Sequence, residues 1–177
     1  EREYVAAIRN SADELAELST TARETDRLVS RRPDESRGDL CATARDLVPA
    51  DADVEVSLDL PAEAPLVTDW ESLRQALATA IENAVTHAEA SVSVTVEDTA
   101  DGYVVRVSDD GPGIPDTEIA SLDAETETPL QHSTGLDLWQ LEWAITRLGG
   151  ELSFDTTDGT TVRMRVPDRS GDDGGRG

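Results

Sequence analysis

Three short stretches of this 177-residue chain set polar or small residues where chemistry could be done. The first is Ala78-Thr79-Ala80-Ile81-Glu82-Asn83-Ala84-Val85-Thr86-His87, in which Asn83 interrupts an otherwise apolar helix face. Residues three or four apart share a helix face, so Asn83 projects on the side of Thr79, Ala80 and His87. An Asn carbonyl suits Mg²⁺, a hard cation that keeps several waters and shares phosphate oxygens, although neighbouring backbone satisfies many a helix Asn. The second stretch, Asp109-Asp110-Gly111-Pro112-Gly113-Ile114-Pro115, places a carboxylate at a strand end just before two glycines. Such a carboxylate can accept the exocyclic amine of adenine, and glycines let backbone approach a base or ribose; Asp-Gly and Pro-Gly are also ordinary turn punctuation. The third, Ser133-Thr134-Gly135-Leu136-Asp137-Leu138-Trp139, is a small-residue turn entering a helix. Free N–H groups at a helix start favour phosphate, and a Ser or Thr cap explains the same residues equally well.

Composition narrows the chemistry further. Asp and Glu number 38 against 15 basic residues, all of them Arg, for a formal net charge of −23 and a pI near 4.1. A polyanion would be repelled over much of such a surface, which excludes DNA, RNA or an anionic membrane as the main partner. The length fits one domain, or one domain with an attached helical segment. With 37% hydrophobic and 3% aromatic residues, its core must come mainly from Val, Leu, Ile and Ala. A lysine-free, Asp/Glu-rich chain also resembles the proteins of extreme halophiles. One cysteine, Cys41, and two histidines, His87 and His132, allow neither an internal disulfide nor Cys/His metal spacing, so a reducing cytoplasm is expected. No apolar run is long enough to span a membrane, and Glu1-Arg2-Glu3 is no signal peptide. A start without Met reads as a fragment, which leaves a membrane-attached parent open.

The elements that must hold these residues follow from periodicity. Residues 3–31 lack Gly and Pro and carry Val5, Ile8, Ala12, Leu15, Ala22 and Val29 at near-helical spacings, predicting one long helix with a narrow stripe that wants a partner. Residues 32–38 read as a polar linker around Pro33. Beyond it the pattern predicts a helix over 40–47, strands over 54–60 and 66–68, and a helix over 70–87 capped by Asp69. Strands over 91–97 and 103–108 follow, then the Asp109–Pro115 loop, a short helix near 118–122 and a polar run over 123–134. A helix over 135–148 stopped by Gly149-Gly150 and a hairpin of strands 151–155 and 160–166 around Asp158-Gly159 complete it. The Gly/Asp-rich tail, residues 168–177, is expected to be disordered.

An Asn on a long helix, two strands, an Asp-x-Gly-x-Gly loop, a polar lid, a Gly-Leu helix start and a closing Gly159-Thr160 strand resembles, in that order, the ATP-binding domain of sensor histidine kinases. That fold, the Bergerat fold, is shared with type II topoisomerase, heat-shock chaperone and mismatch-repair ATPases. Glu-Thr-Pro in the lid and Leu-Trp after the Gly-Leu pair look most similar to haloarchaeal members. The resemblance implies an α+β, two-layer sandwich: a mixed sheet covered by helices on one face, preceded by the long N-terminal helix. Its domains would be a helix at 1–31, the second of a dimerisation and phosphotransfer hairpin, a linker at 32–38, the ATP-binding catalytic domain at 39–167 and a tail at 168–177. It also implies Asn83 as the Mg²⁺ ligand, Asp109 reading the adenine amine with help from Thr160 and a water, and Gly111 and Gly113 as the nucleotide loop. Ser133, Thr134, Gly135 and Leu136 would form the phosphate end of the lid, and His87 closes the Asn-bearing motif. ATP and Mg²⁺ are then the cofactors. The partners are a response regulator receiver domain and a second copy through helix 3–31 in the parent, with no nucleic acid.

Several positions depart from the family pattern. Thr79 stands where an Asn is usual, Thr86 where a Lys is frequent, and Ser133 and Asp137 where Gly is usual. Between Gln75 and Thr146 the basic residue is Arg106, on a strand, so Mg²⁺ and helix N–H groups must neutralise the phosphates. Neither histidine lies in the first helix, which puts the phosphoacceptor outside this chain. The leading reading is the catalytic part of a two-component sensor kinase, transferring a γ-phosphoryl group to that outside His. The alternative, favoured by the departures, is a degenerate nucleotide-binding or dimerising regulatory module without kinase activity. An ATP-hydrolysing clamp is disfavoured, because Thr79 occupies the position where those ATPases carry a Glu base.

Overall fold

The computed structural model describes residues 34–114 and 133–170, of which 133–137 through their backbone. The helix expected over 3–31, the short helix near 118–122 and most of the polar run lie outside the described residues. Strand β1 (Glu35–Asp39) is followed by α1 (Leu40–Leu47), β2 (Glu55–Asp59), β3 (Pro65–Asp69) and α2 (Trp70–His87). Then come β4 (Ser91–Thr99), β5 (Gly102–Asp109), α3 (Ser133–Arg147), β6 (Glu151–Asp155) and β7 (Thr160–Pro167).

Five strands form a mixed sheet in the order β2-β4-β5-β7-β6, parallel between β2 and β4 and antiparallel elsewhere. Its register shows why one face is covered. Leu58, Val94, Val107, Val162 and Phe154 stand in one row across the strands, and Val96, Val105, Met164 and Leu152 in the next. The alternate rows read Ser57, Ser93, Ser108, Thr161, Asp155 and Asp59, Thr95, Arg106, Arg163, Ser153, a polar face turned to water. On the apolar face, α2 brings Leu73, Ala76, Leu77, Ala80, Ile81 and Ala84, and α3 brings Leu141, Ala144, Ile145 and Leu148, into one core with the sheet. Each fully buried Leu or Ile there contributes about 1.5–3 kcal/mol. The result is the α+β arrangement expected from the sequence, a mixed sheet with helices on one face.

The two helices run in opposite directions. They pack side by side, and Arg147 in the last turn of α3 reaches Asp69 at the start of α2, with Nε 3.4 Å from Oδ2. The first turn of α3 therefore lies toward the end of α2 that carries Asn83 and His87. This ion pair also revises the role of Asp69, expected as the cap of α2. Its carboxylate makes no cap hydrogen bond and is 3% exposed, and Oδ2 accepts instead from Ser72 Oγ at 2.9 Å and from Arg147. A capping aspartate appears one element earlier: Asp39 Oδ1 accepts from the Ala42 N–H of α1 and Oδ2 from the Ala64 N–H.

Three further expectations are corrected. The stretch read as linker contains β1, which pairs antiparallel with β3 from Glu35 opposite Asp69 to Asp39 opposite Pro65. No local pattern marks β1, because its residues, Glu-Ser-Arg-Gly-Asp, are held by a partner strand that lies far along the chain. Helix α3 starts at Ser133, two residues before the expected start. The beginning of the tail is ordered: the Asp168 N–H donates to Asp101 O, Asp168 Oδ1 accepts from the Val67 N–H at 2.8 Å, and Arg169 donates to Leu148 O. No helix among the described residues is long and apolar enough to cross a membrane.

Candidate functional site

Asp109 is the last residue of β5, and the ladder aims its side chain at the helix-covered face. Its neighbours across the strands are Val92 and Thr160. Asp109 is 9% exposed and Thr160 6%, so a polar pair closes one end of an otherwise apolar inner face. A buried carboxylate must be satisfied. Asp109 Oδ1 accepts the Gly111 N–H at 2.9 Å. Neither Oδ2 nor the Thr160 hydroxyl has a hydrogen-bond partner among the described residues, which leaves an acceptor and a hydroxyl side by side at the strand ends.

The glycines around Asp109 serve a purpose the sequence reading did not give them. A Cβ on Gly111 would lie 2.2 Å from the His87 carbonyl oxygen, and one on Gly159, whose φ is +93°, would lie 2.0 Å from the Asp109 carbonyl oxygen. The space these glycines leave is filled by the protein's own backbone rather than kept clear for a base or ribose. The loop after β5 is thereby pressed against the end of α2 on one side and the β6–β7 turn on the other. Gly113 differs: with φ +80° it turns the loop, and its nearest surroundings stand at 3.4 Å.

Asn83 is half-buried on α2, one turn before His87, and its side chain takes no hydrogen bond among the described residues. That fits a side chain whose oxygen is available to a ligand. No group of three or more Asp, Glu, His or Cys able to hold a metal occurs among the described residues. A cation here would therefore depend on Asn83, waters and the ligand's own oxygens, a donor set that Mg²⁺ accepts and a structural zinc would not. The His87 side chain is exposed, and what this residue gives the described structure is its carbonyl, the surface on which Gly111 rests. Thr79 is 8% exposed and its hydroxyl accepts from Gln75 Nε2 at 3.4 Å. Ser133, Thr134, Gly135 and Leu136 form the first turn of α3. Arg106 lies on the outer, water-facing side of the sheet, paired with Glu97, so it is no counter-ion for anything bound on the helix side.

One residue escaped the sequence reading. Asp110 Oδ1 accepts three consecutive backbone N–H groups, those of Glu89, Ala90 and Ser91, each at 3.0 Å, and Oδ2 accepts Ser91 Oγ at 3.1 Å. The backbone N–H groups of Ala90 and Ser91, then the Ser91 hydroxyl and the Glu89 N–H, hold its carboxyl down at about 2 despite the opposing desolvation. The Asp-Asp repeat before Gly111 is the signal that could have pointed to it.

A cavity of about 730 Å³ opens elsewhere, at the opposite end of the sheet, between Asp98, Tyr103, Gly149, Asp168 and Ser170. None of the candidate nucleotide- or metal-binding residues lines it.

Against known proteins, residues 68–170 match the family model described as histidine kinase-, DNA gyrase B- and HSP90-like ATPase. Sensor protein LytS of Streptococcus mutans serotype c is 36% identical over 102 residues, covering 52% of this chain, and the chain spans 17% of that relative. Among solved structures, the Acinetobacter baumannii histidine kinase AdeS superposes with a TM-score of 0.68 at 20% identity, over 90% of this chain and 81% of that one. Full-length ShkA in complex with AMPPNP gives a TM-score of 0.72 at 24% identity, over 95% of this chain and 39% of that one. These two likenesses show the fold.

Proposed function

The chain belongs to the histidine kinase-, DNA gyrase B- and HSP90-like ATPases, as an ATP-binding domain of the sensor histidine kinase type, and from that premise we propose that it binds Mg-ATP between α2, the 109–114 loop and the start of α3. In a longer parent it transfers the γ-phosphoryl group to a His outside this chain. The observation that carries the reading is the Asp109 carboxylate oxygen without a partner among the described residues, beside Thr160 at the end of β5. Adenine presents an amine donor and a ring-nitrogen acceptor, and a carboxylate with a neighbouring hydroxyl complements both. Gly111, Gly113 and His87 frame that pair, and Asn83, one turn back on α2, supplies the Mg²⁺ ligand. The antiparallel course of α3 brings the N–H groups of its first turn, at Ser133, Thr134, Gly135 and Leu136, to the same end of the molecule, where they suit phosphate. Bound there, Mg²⁺ would neutralise phosphate charge in a site without a nearby Arg among the described residues. That ShkA was solved with AMPPNP supports a triphosphate nucleotide here.

In the parent, helix 1–31 would dimerise, the residues before β1 would lead into the catalytic domain, and a receiver domain would take the phosphoryl group, on the cytoplasmic side if the parent is membrane-attached. Calorimetric titration tests the site directly. Asp109→Asn should weaken ATP and ADP alike, by about ten- to a hundredfold, the value of a hydrogen bond to a charged group. Asn83→Ala should weaken Mg-ATP more than ATP in EDTA, because it removes a metal ligand. Equal losses with and without Mg²⁺ would sink the metal assignment, and unchanged binding in Asp109→Asn would sink the site.

A further inference from the structure

Asp110 is exposed, and an exposed aspartate in a chain of net charge −23 needs no explanation beyond solubility. Its hydrogen bonds say otherwise. Four donors converge on one side chain, three of them consecutive backbone N–H groups, an arrangement that elsewhere cradles a bound anion. Here the anion is covalently part of the neighbouring loop. The Asp110 N–H returns a bond to Ser91 O at 3.3 Å, so the contact is a two-way clip.

What the clip joins gives it meaning. Residues 88–90 connect the end of α2 to β4, and α2 carries Asn83 and His87. Asp110 itself stands between Asp109, which offers the adenine acceptor, and Gly111, which lies on the His87 carbonyl. The β5 ladder ends at Asp109, and the described loop residues beyond it, 110–114, belong to no strand, so their position depends on contacts such as those of Asp110. We propose that Asp110 is a positioning residue for nucleotide binding: its carboxylate ties the 109–114 loop to the α2–β4 turn, so that the adenine acceptor and the metal-ligating helix keep one spacing. This inference rests on the site proposed above. The mechanism is preorganisation, since a loop already held in its binding geometry loses less freedom when the ligand arrives. Because the three N–H groups sit at the surface, water can replace the carboxylate when it is removed. Loss of Asp110 should therefore cost affinity while the fold persists.

The test compares Asp110→Ala, Asp110→Asn and Asp109→Asn in the full chain, titrating Mg-ADP well below each variant's melting temperature and following amide exchange at residues 89–91. Asp110→Ala should raise Kd by about tenfold and speed exchange of the Glu89, Ala90 and Ser91 amides. Asp110→Asn should stay within about threefold of the wild type, since its amide oxygen still accepts the three N–H groups and its NH₂ can meet Ser91 Oγ. A role in stability alone would lower the melting temperature without moving Kd. Wild-type affinity in Asp110→Ala, beside a lost affinity in Asp109→Asn, overturns the clip and leaves the site standing. Equal losses in the Ala and Asn variants overturn it too, because charge rather than geometry would then be at work. No binding by the wild type overturns both readings together. If Asp110→Ala does not fold, Ser91→Ala decides: a loss of about threefold is expected, and unchanged affinity counts against the clip.

Discussion

The two ends of the five-stranded sheet use the same device for different ends. At one, Asp110 gathers the N–H groups of residues 89–91; at the other, Asp168 accepts from the Val67 N–H, the Ser170 N–H and Ser170 Oγ. At the Asp168 end the charged groups Asp168, Arg169 and Arg165 are spent inside the protein, although the buried hydroxyl of Thr68, beside Val67, has no partner among the described residues. Arg169 binds Leu148 O and Glu35, Arg165 pairs with Asp101 and Glu151, and Asp168 laces the segment after β7 to β3. At the Asp110 end the backbone is packed as tightly, yet one Asp109 oxygen, the Thr160 hydroxyl and the Asn83 amide have no partner among the described residues. The 730 Å³ cavity lies at the Asp168 end. The cavity and the expected nucleotide site thus lie at opposite ends of the sheet, and partnerless groups alone do not mark a site, because the buried hydroxyls of Thr68 and Thr95 also lack partners among the described residues and lie elsewhere.

The sharpest break of this comparison substitutes a glycine at each end. Gly159→Ala would set a Cβ 2.0 Å from the Asp109 carbonyl oxygen, and Gly102→Ala one 2.2 Å from the Val166 carbonyl oxygen, both at positive φ. Left-handed strain and overpacking together should cost each variant about 2–5 kcal/mol. Only the first should also abolish ADP binding in the folded fraction, because it displaces Asp109. Equal affinities in the two variants, measured by titration in stabilising salt, would erase the distinction between the ends.

A smaller effect is expected at the junction of α2 and α3. Arg147 and Asp69 have side chains 14% and 3% exposed. Arg147→Met leaves the Asp69 carboxylate buried without this cation, at a cost of about 3 kcal/mol, the low end for a broken buried pair because Ser72 still donates. Urea unfolding should register this loss with nucleotide Kd unchanged at full folding, since the change lies at the far end of α2. A matching drop in affinity would mean that the helix pair transmits strain to the site.

The smallest effect separates the two aspartates by pH. At Asp168, burial pushes the carboxyl up, but the bonds from Val67 and Ser170 and the charge of Arg37 outweigh it, so it titrates below the ordinary range, as Asp110 does. A depressed carboxyl contributes stability that is fully present above its unfolded value of about 3.9 and is lost as pH falls through the folded one. For Asp110 that window runs from about pH 4 down to about 2. Acid also discharges the surface and relieves self-repulsion, so the wild-type-minus-variant difference is the quantity to follow. The advantage of wild type over Asp110→Asn, and over Asp168→Asn, should shrink on acidification below about pH 4. Affinity for ADP at neutral pH should fall in neither. A difference that grows on acidification would contradict the hydrogen-bond geometry.

Much of this molecule can be read from local pattern. The stripe of Leu73, Leu77, Ile81 and Ala84 marks α2 to the residue, and alternating valines mark β4 and β5. Asp109 is legible because a carboxylate that ends an apolar strand before two glycines is an unusual thing to bury. β1 is illegible because nothing in Glu-Ser-Arg-Gly-Asp favours extended chain until β3 offers its ladder. Asp69 misleads for a related reason: a residue placed to cap α2 is claimed by Arg147, which is 78 residues away.

The sequence by itself determined the order and type of the described elements other than β1, the negative surface and the residue types able to meet a nucleotide, because periodicity, charge and turn chemistry act over a few neighbouring residues. Only the tertiary structure decided that Thr160 stands beside Asp109, that the Gly111 space belongs to His87 and that Asp110 holds three N–H groups about twenty residues upstream. Each of these is a hydrogen bond or close approach between segments whose separation along the chain carries no trace of the partner, and it exists once the sheet register and the helix packing have brought the segments together.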